Sequence, residues 1–159
     1  MNKTQFNIPP GTQNIIMTRA FNAPRQRVFD VYTDPTLIPQ WWGPRAYTTV
    51  VDKMEVKKGG VWRYVQRIAD GQEIAFNGVY HEITAPERLI NTFEVEGLAG
   101  NVGLVITTFE EQGGQTLLTE VSVFPSVEDR DGAAASGMQG GAIETMDRFE
   151  ELLAKLQIK

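Results

Sequence analysis

Apolar residues change period along the chain, and the change divides it into a region of strands and a region of helix. Toward the C-terminus they step by three and four, at Ala135, Met138, Ala142, Met146, Phe149, Leu153 and Leu156. That spacing puts one apolar stripe on a helix of about 3.6 residues per turn and predicts a dominant helix over 126–159. Ser126 suits its N-cap, with Glu128 and Asp129 in the first turn, where carboxylates favour the positive end of the helix dipole. Lys155 and Lys159 carry the opposite sign at the other end. Gly137, Gly140 and Gly141 interrupt the first half, each at a cost of about 1 kcal/mol against alanine. Two compensations stay open: a kink or close approach to a sheet, or room left for a bound molecule.

The residues before this helix read mostly as strand. Residues 1–12, polar and closing on Pro9, Pro10 and Gly11, predict a flexible arm ahead of one domain over 13–159. Ile15, Ile16 and Thr18 predict a first strand over 13–21. Two short helices follow, one opened by Pro24 and carrying Val28, Phe29, Val31 and Tyr32, the other running from Asp34 toward Trp41 and Trp42. After Pro44 the spacing predicts strands over 47–56, 60–68, 73–83, 88–95, 102–110 and 115–124. Glycine, proline and aspartate at the breaks supply turn chemistry, so consecutive strands should pair antiparallel and bring the total to about seven. This is an α+β layout with a sheet that must cover the helix stripe.

Alternation assigns faces. Trp62, Tyr64 and Ile68 share one face, opposite Arg63 and Arg67; Ile74, Phe76 and Tyr80 share a face opposite Glu73 and Asn77; Leu89, Phe93 and Val95 extend the aromatic wall. Val102, Leu104 and Ile106 set against Leu117, Thr119, Val121 and Val123 leave the inward register open, because both faces of those strands are partly apolar.

Composition then narrows the function classes. At 159 residues, 42% hydrophobic and 22% charged, the chain has the make-up of an ordinary globular domain. No run approaches the ~18 apolar residues of a membrane span, and the N-terminus has no signal-peptide pattern, so membrane insertion is not expected and a cytoplasmic location is. A net charge of -5 argues against nucleic acid as partner, and the lack of cysteine removes disulfides, thiolate nucleophiles and thiolate metal sites. His81 alone cannot build a triad or a metal cluster, and its register puts it on the outer face. Neither a metal nor a cofactor is expected. Glu82, placed inward by alternation, is a possible polar cavity group; its plainer reading is an ion pair with Arg88. Trp41 and Trp42 either gate an opening or plug one end of the core.

Several motifs occur in a telling order. They are Phe21 to Pro24 ahead of a helix, Trp41-Trp42-Gly43-Pro44, Gly59-Gly60-Val61-Trp62, Phe76 to Ile83, Pro86-Glu87-Arg88-Leu89, and Gly137-Met138. Together they resemble the family named after the C-terminal domain of the heat-shock-protein-90 ATPase activator, within the START-like superfamily, over about 14–156. The resemblance implies a helix-grip fold, a curved antiparallel sheet wrapped around the long C-terminal helix with a cavity between them. In that cavity the expected ligand-binding residues are Trp41, Trp42, Trp62, Tyr64, Phe76, Tyr80, Phe93, Met138, Gly141 and Met146. Aromatic walls and adaptable methionines suit a small hydrophobic molecule, aromatic or lipid-like. Two alternatives are a cofactor-free cyclase or hydrolase using Tyr64, Tyr80 and Glu82, and a chaperone-associated interaction module. Eukaryotic co-chaperone members use a further N-terminal domain that 159 residues do not hold, which ranks the last reading lowest. Oligomeric state is not legible.

Overall fold

A computed structural model describes residues 2–98 and 100–157. The elements run β1 (Gln5–Asn7), β2 (Asn14–Phe21), α1 (Arg25–Tyr32), α2 (Ile38–Trp41), β3 (Thr48–Met54), β4 (Val61–Arg67), β5 (Glu73–Thr84), β6 (Arg88–Val95), β7 (Val102–Gln112), β8 (Gln115–Val123), α3 (Val127–Ala135) and α4 (Met138–Gln157). The strands form one antiparallel sheet of eight in the order β1-β2-β8-β7-β6-β5-β4-β3. The meander therefore ends by laying β8 against β2. This is the helix-grip architecture. Among the described residues no helix is long and apolar enough to cross a membrane.

Two predicted elements change. The segment read as an arm contains an eighth strand, β1, paired to β2, with the Asn2 side-chain amide donating to the Ala20 carbonyl at 2.6 Å. The single C-terminal helix is two helices. Ser126 caps α3 as expected, its hydroxyl accepting from the Asp129 N–H, but the chain turns at Gly137, whose φ of +84° is open to glycine at little cost. Ala135 lies before this turn and is exposed, so it is not part of the stripe. The predicted tail at Lys159 lies outside the described residues.

The stripe of α4 packs through Met146, Phe149, Leu152 and Leu153, all buried. Phe149 is fully enclosed, its ring 5.1 Å from Phe21 and 4.7 Å from Trp41. On β2, alternation turns Ile15, Met17, Arg19 and Phe21 inward. Arg19 is an unusual core residue at 1% exposure, and it is held by Asp147 at 2.6 Å and Glu150 at 3.4 Å on α4. The same guanidinium donates to Thr4 Oγ1 at 2.9 Å, tying the N-terminal segment, β2 and α4 together. A buried cation of this kind persists only when paired.

The open register is resolved by burial. On β8, Thr116 and Leu118 are buried and Glu120 and Ser122 continue their face, leaving Leu117, Thr119, Val121 and Val123 outward. On β7, Thr107 and Phe109 point inward, and Leu104 and Ile106 outward.

Candidate functional site

The helices that cover the sheet do not fill the space above it. Between α2, α4 and strands β4–β8 lies a cavity of about 320 Å³, and between α3, β8 and the β6–β7 end lies a second of about 620 Å³. Phe76, Phe93, Val105, Glu120 and Met138 line both, so the two spaces adjoin as lobes. Gly141 and Ala142 on α4 open the first lobe because they place almost no side chain in it. A methyl group built on Gly141 would meet only Pro44 Cγ, at 3.7 Å.

All ten residues named above as the expected cavity set line the first lobe: Trp41, Trp42, Trp62, Tyr64, Phe76, Tyr80, Phe93, Met138, Gly141 and Met146. The two neighbouring tryptophans divide. Trp41 is buried against Tyr32 and Phe149, whereas Trp42 is half-buried and packs edge-on to Tyr64 and Phe76 at 5.0 and 5.1 Å. Trp62 lies across β5 because Gly78 has no side chain: a Cβ there would stand 2.5 Å from the indole nitrogen and 1.9 Å from the Thr92 carbonyl. That indole donates to the same carbonyl at 3.3 Å. Burial pushes the Tyr64 hydroxyl well up and the Tyr80 hydroxyl to about 12, so both remain neutral at physiological pH.

Glu82 is not in the cavity. The β5–β6 register shifts between Tyr80 and Glu82, a bulge that restarts the alternation and turns Ile83, not Glu82, toward the core. Glu82 instead accepts two hydrogen bonds from Arg88, at 2.5 and 3.0 Å, and this pairing lowers its carboxyl below the ordinary range. His81, next to the bulge, is exposed.

The carboxyl common to both lobes is Glu120, which sequence reasoning missed. It sits in the middle of β8, directly across from Met17 on β2 and Thr107 on β7. The Tyr32 hydroxyl donates to Glu120 Oε2 at 3.3 Å, a long bond. Burial, only partly offset by that bond, raises the Glu120 carboxyl above its usual range, and burial beside Glu120 raises the Tyr32 hydroxyl. One signal was available: Glu120 is in phase with Leu118, a lone acid on an apolar run. Thr119 and Val121 in the other phase concealed it. Among the described residues no three His, Cys, Asp or Glu side chains converge as metal ligands.

A family model described as activator of Hsp90 ATPase homolog 1-like protein matches residues 22–154. The chain belongs to this family. The matched span runs from the residue after β2 almost to the end of α4, and so includes every residue that lines the two lobes except Met17. Solved structures similar to this family member include a Rhodobacter sphaeroides protein, 26% identical with a TM-score of 0.89, covering 96% of this chain and 99% of its own. A Staphylococcus epidermidis protein is 27% identical with a TM-score of 0.82 and 94% of each chain covered. A Silicibacter pomeroyi protein named for the same family is 18% identical with a TM-score of 0.75, covering 89% of this chain and 97% of its own, and shows likeness of fold alone. No curated protein matches the chain.

Proposed function

We propose that this protein binds a small hydrophobic molecule, aromatic or lipid-like, in the hollow between the sheet and α4. The observation that carries the reading is a two-lobed space walled by aromatic rings and methionines, kept open where α4 carries Gly141 and Ala142. Rings provide large contact area at low entropic cost, and Met138 and Met146 adapt to shape. The lobes lie in the size range of small-molecule sites. The reading of the cavity as a cofactor-free enzyme site loses Glu82, which pairs with Arg88 away from the lobes.

Native mass spectrometry of the freshly purified protein, then of protein incubated with apolar aromatics of graded length, tests the proposal. A one-to-one adduct that disappears on unfolding is expected. A protein that carries nothing and takes up no member of the series would overturn it.

A further inference from the structure

The two lobes have a charge pattern that the apolar reading does not require. Among the described residues, neither is lined by a lysine, arginine or histidine. The first is lined by one carboxyl, Glu120; the second shares Glu120 and adds Glu128 and Asp129 on α3. Among the described residues Glu120 has a single hydrogen-bonding partner, the distant Tyr32 hydroxyl, so a carboxylate with room for several donors has one. It stands among rings: Phe76 and Phe93 line both lobes with it, 5.6 Å apart, and Trp42 and Tyr64 continue the wall at 5.1 and 5.0 Å spacings.

Resting on the reading of the cavity as a ligand site, we propose that the ligand is a hydrophobic amine, its ammonium against Glu120 and its apolar body among Trp42, Tyr64, Phe76 and Phe93. An ammonium supplies the donors that Glu120 lacks, and the negative faces of aromatic rings attract a cation where water is excluded. A carboxylate ligand, such as a fatty acid, would meet a like charge with no cation to offset it. A plain hydrocarbon would leave Glu120 without a second partner in a desolvated site. The upward shift of the Glu120 carboxyl agrees, since burial is its main cause and an ammonium beside it would offset that burial.

The test compares three naphthalene probes of similar size at pH 8: 1-(2-aminoethyl)naphthalene, 1-ethylnaphthalene and 1-naphthaleneacetate. Their binding is followed by quenching of tryptophan emission, with wild-type protein and with Glu120→Gln. The amine is expected to bind wild type on the order of ten-fold more tightly than the hydrocarbon, with the acetate weakest. In Glu120→Gln the amine preference should collapse while hydrocarbon affinity is kept. Hydrocarbon or acetate binding equal to the amine in wild type overturns the inference but leaves the cavity a ligand site, as does an amine preference that survives Glu120→Gln. Binding of none of the three overturns both. The wild-type series decides the matter even where the variant does not fold.

Discussion

The two halves of α4 cover the same sheet with opposite results. Its C-terminal half presents Phe149, Leu152 and Leu153 to Phe21, Phe29, Phe109 and Leu118, and everything there is buried. Its N-terminal half presents Met138, Gly141 and Ala142 to Trp62, Tyr64, Phe76 and Phe93, and a hollow remains. Large residues on both partners close the first interface to the density of a protein interior. Small residues on one partner, opposite rings that lean on one another along the sheet at tilted angles, hold the second open. On the proposed function, stability belongs mainly to the filled half and ligand binding to the hollow one. The break at Gly137 adds to the division, because it lets α3 leave the line of α4 and cover the second lobe separately.

That division is open to attack by substitution. Phe149→Ala should have the largest effect, a loss of about 3–5 kcal/mol for an aromatic removed from a closed core, read from the urea midpoint. Arg19→Met should cost about 2–3 kcal/mol, less than the ~3–5 kcal/mol of a wholly buried pair, because Asp147 is about one-third exposed and can turn to water. Both should lower stability without changing ligand uptake by the folded fraction. If either abolishes uptake at full folding, the halves are not separable.

Glu120 tests the hollow half through pH. Its native carboxyl lies above the ordinary 4.5, so the folded chain keeps a proton that the unfolded chain has released. Stability from this group is fully present below the unfolded value and is lost as pH rises through the native one. Urea midpoints of wild type measured from pH 4 to 8 should therefore fall relative to Glu120→Gln, which cannot titrate. Parallel curves would place the carboxyl in bulk solvent. Glu82→Gln should have the smallest effect. Paired with Arg88 and lowered, Glu82 contributes above its unfolded range and loses the contribution as pH falls, so Glu82→Gln should lower stability slightly near neutral pH and match wild type in acid. Ligand uptake should be unchanged.

Most of the fold was legible because period and punctuation agreed. The strand-two-helices-strands-helix order, the inward aromatics of β4 and β5, and the Ser126 cap followed from alternation and turn residues. The eighth strand was not legible, since Gln5–Asn7 is three residues long and shows no periodicity. The break at Gly137 was visible as a costly glycine but not as a turn, because the stripe continues in phase from Ala135 to Met138. At the site, alternation located the rings correctly and failed at Glu82, where one bulged residue reverses the face of all that follow. Glu120 was hidden by strands apolar on both faces: Ile16, Val121, Ile106 and Ile90 form a cross-strand row on the outer side. Such strands have no hydrophobic contrast from which to choose a register.

The most direct test of the central claim is titration of the neutral dye N-phenyl-1-naphthylamine into wild type and Gly141→Leu, with thermal unfolding of both. Position 141 has room for a first side-chain carbon, and a leucine in a helix offsets part of its own crowding through about 0.8–1 kcal/mol of propensity over glycine. Saturable one-to-one binding by wild type is expected, with loss of most of it in Gly141→Leu and melting temperatures that stay close. Equal binding by both proteins, or no saturable binding by wild type, would contradict the central claim.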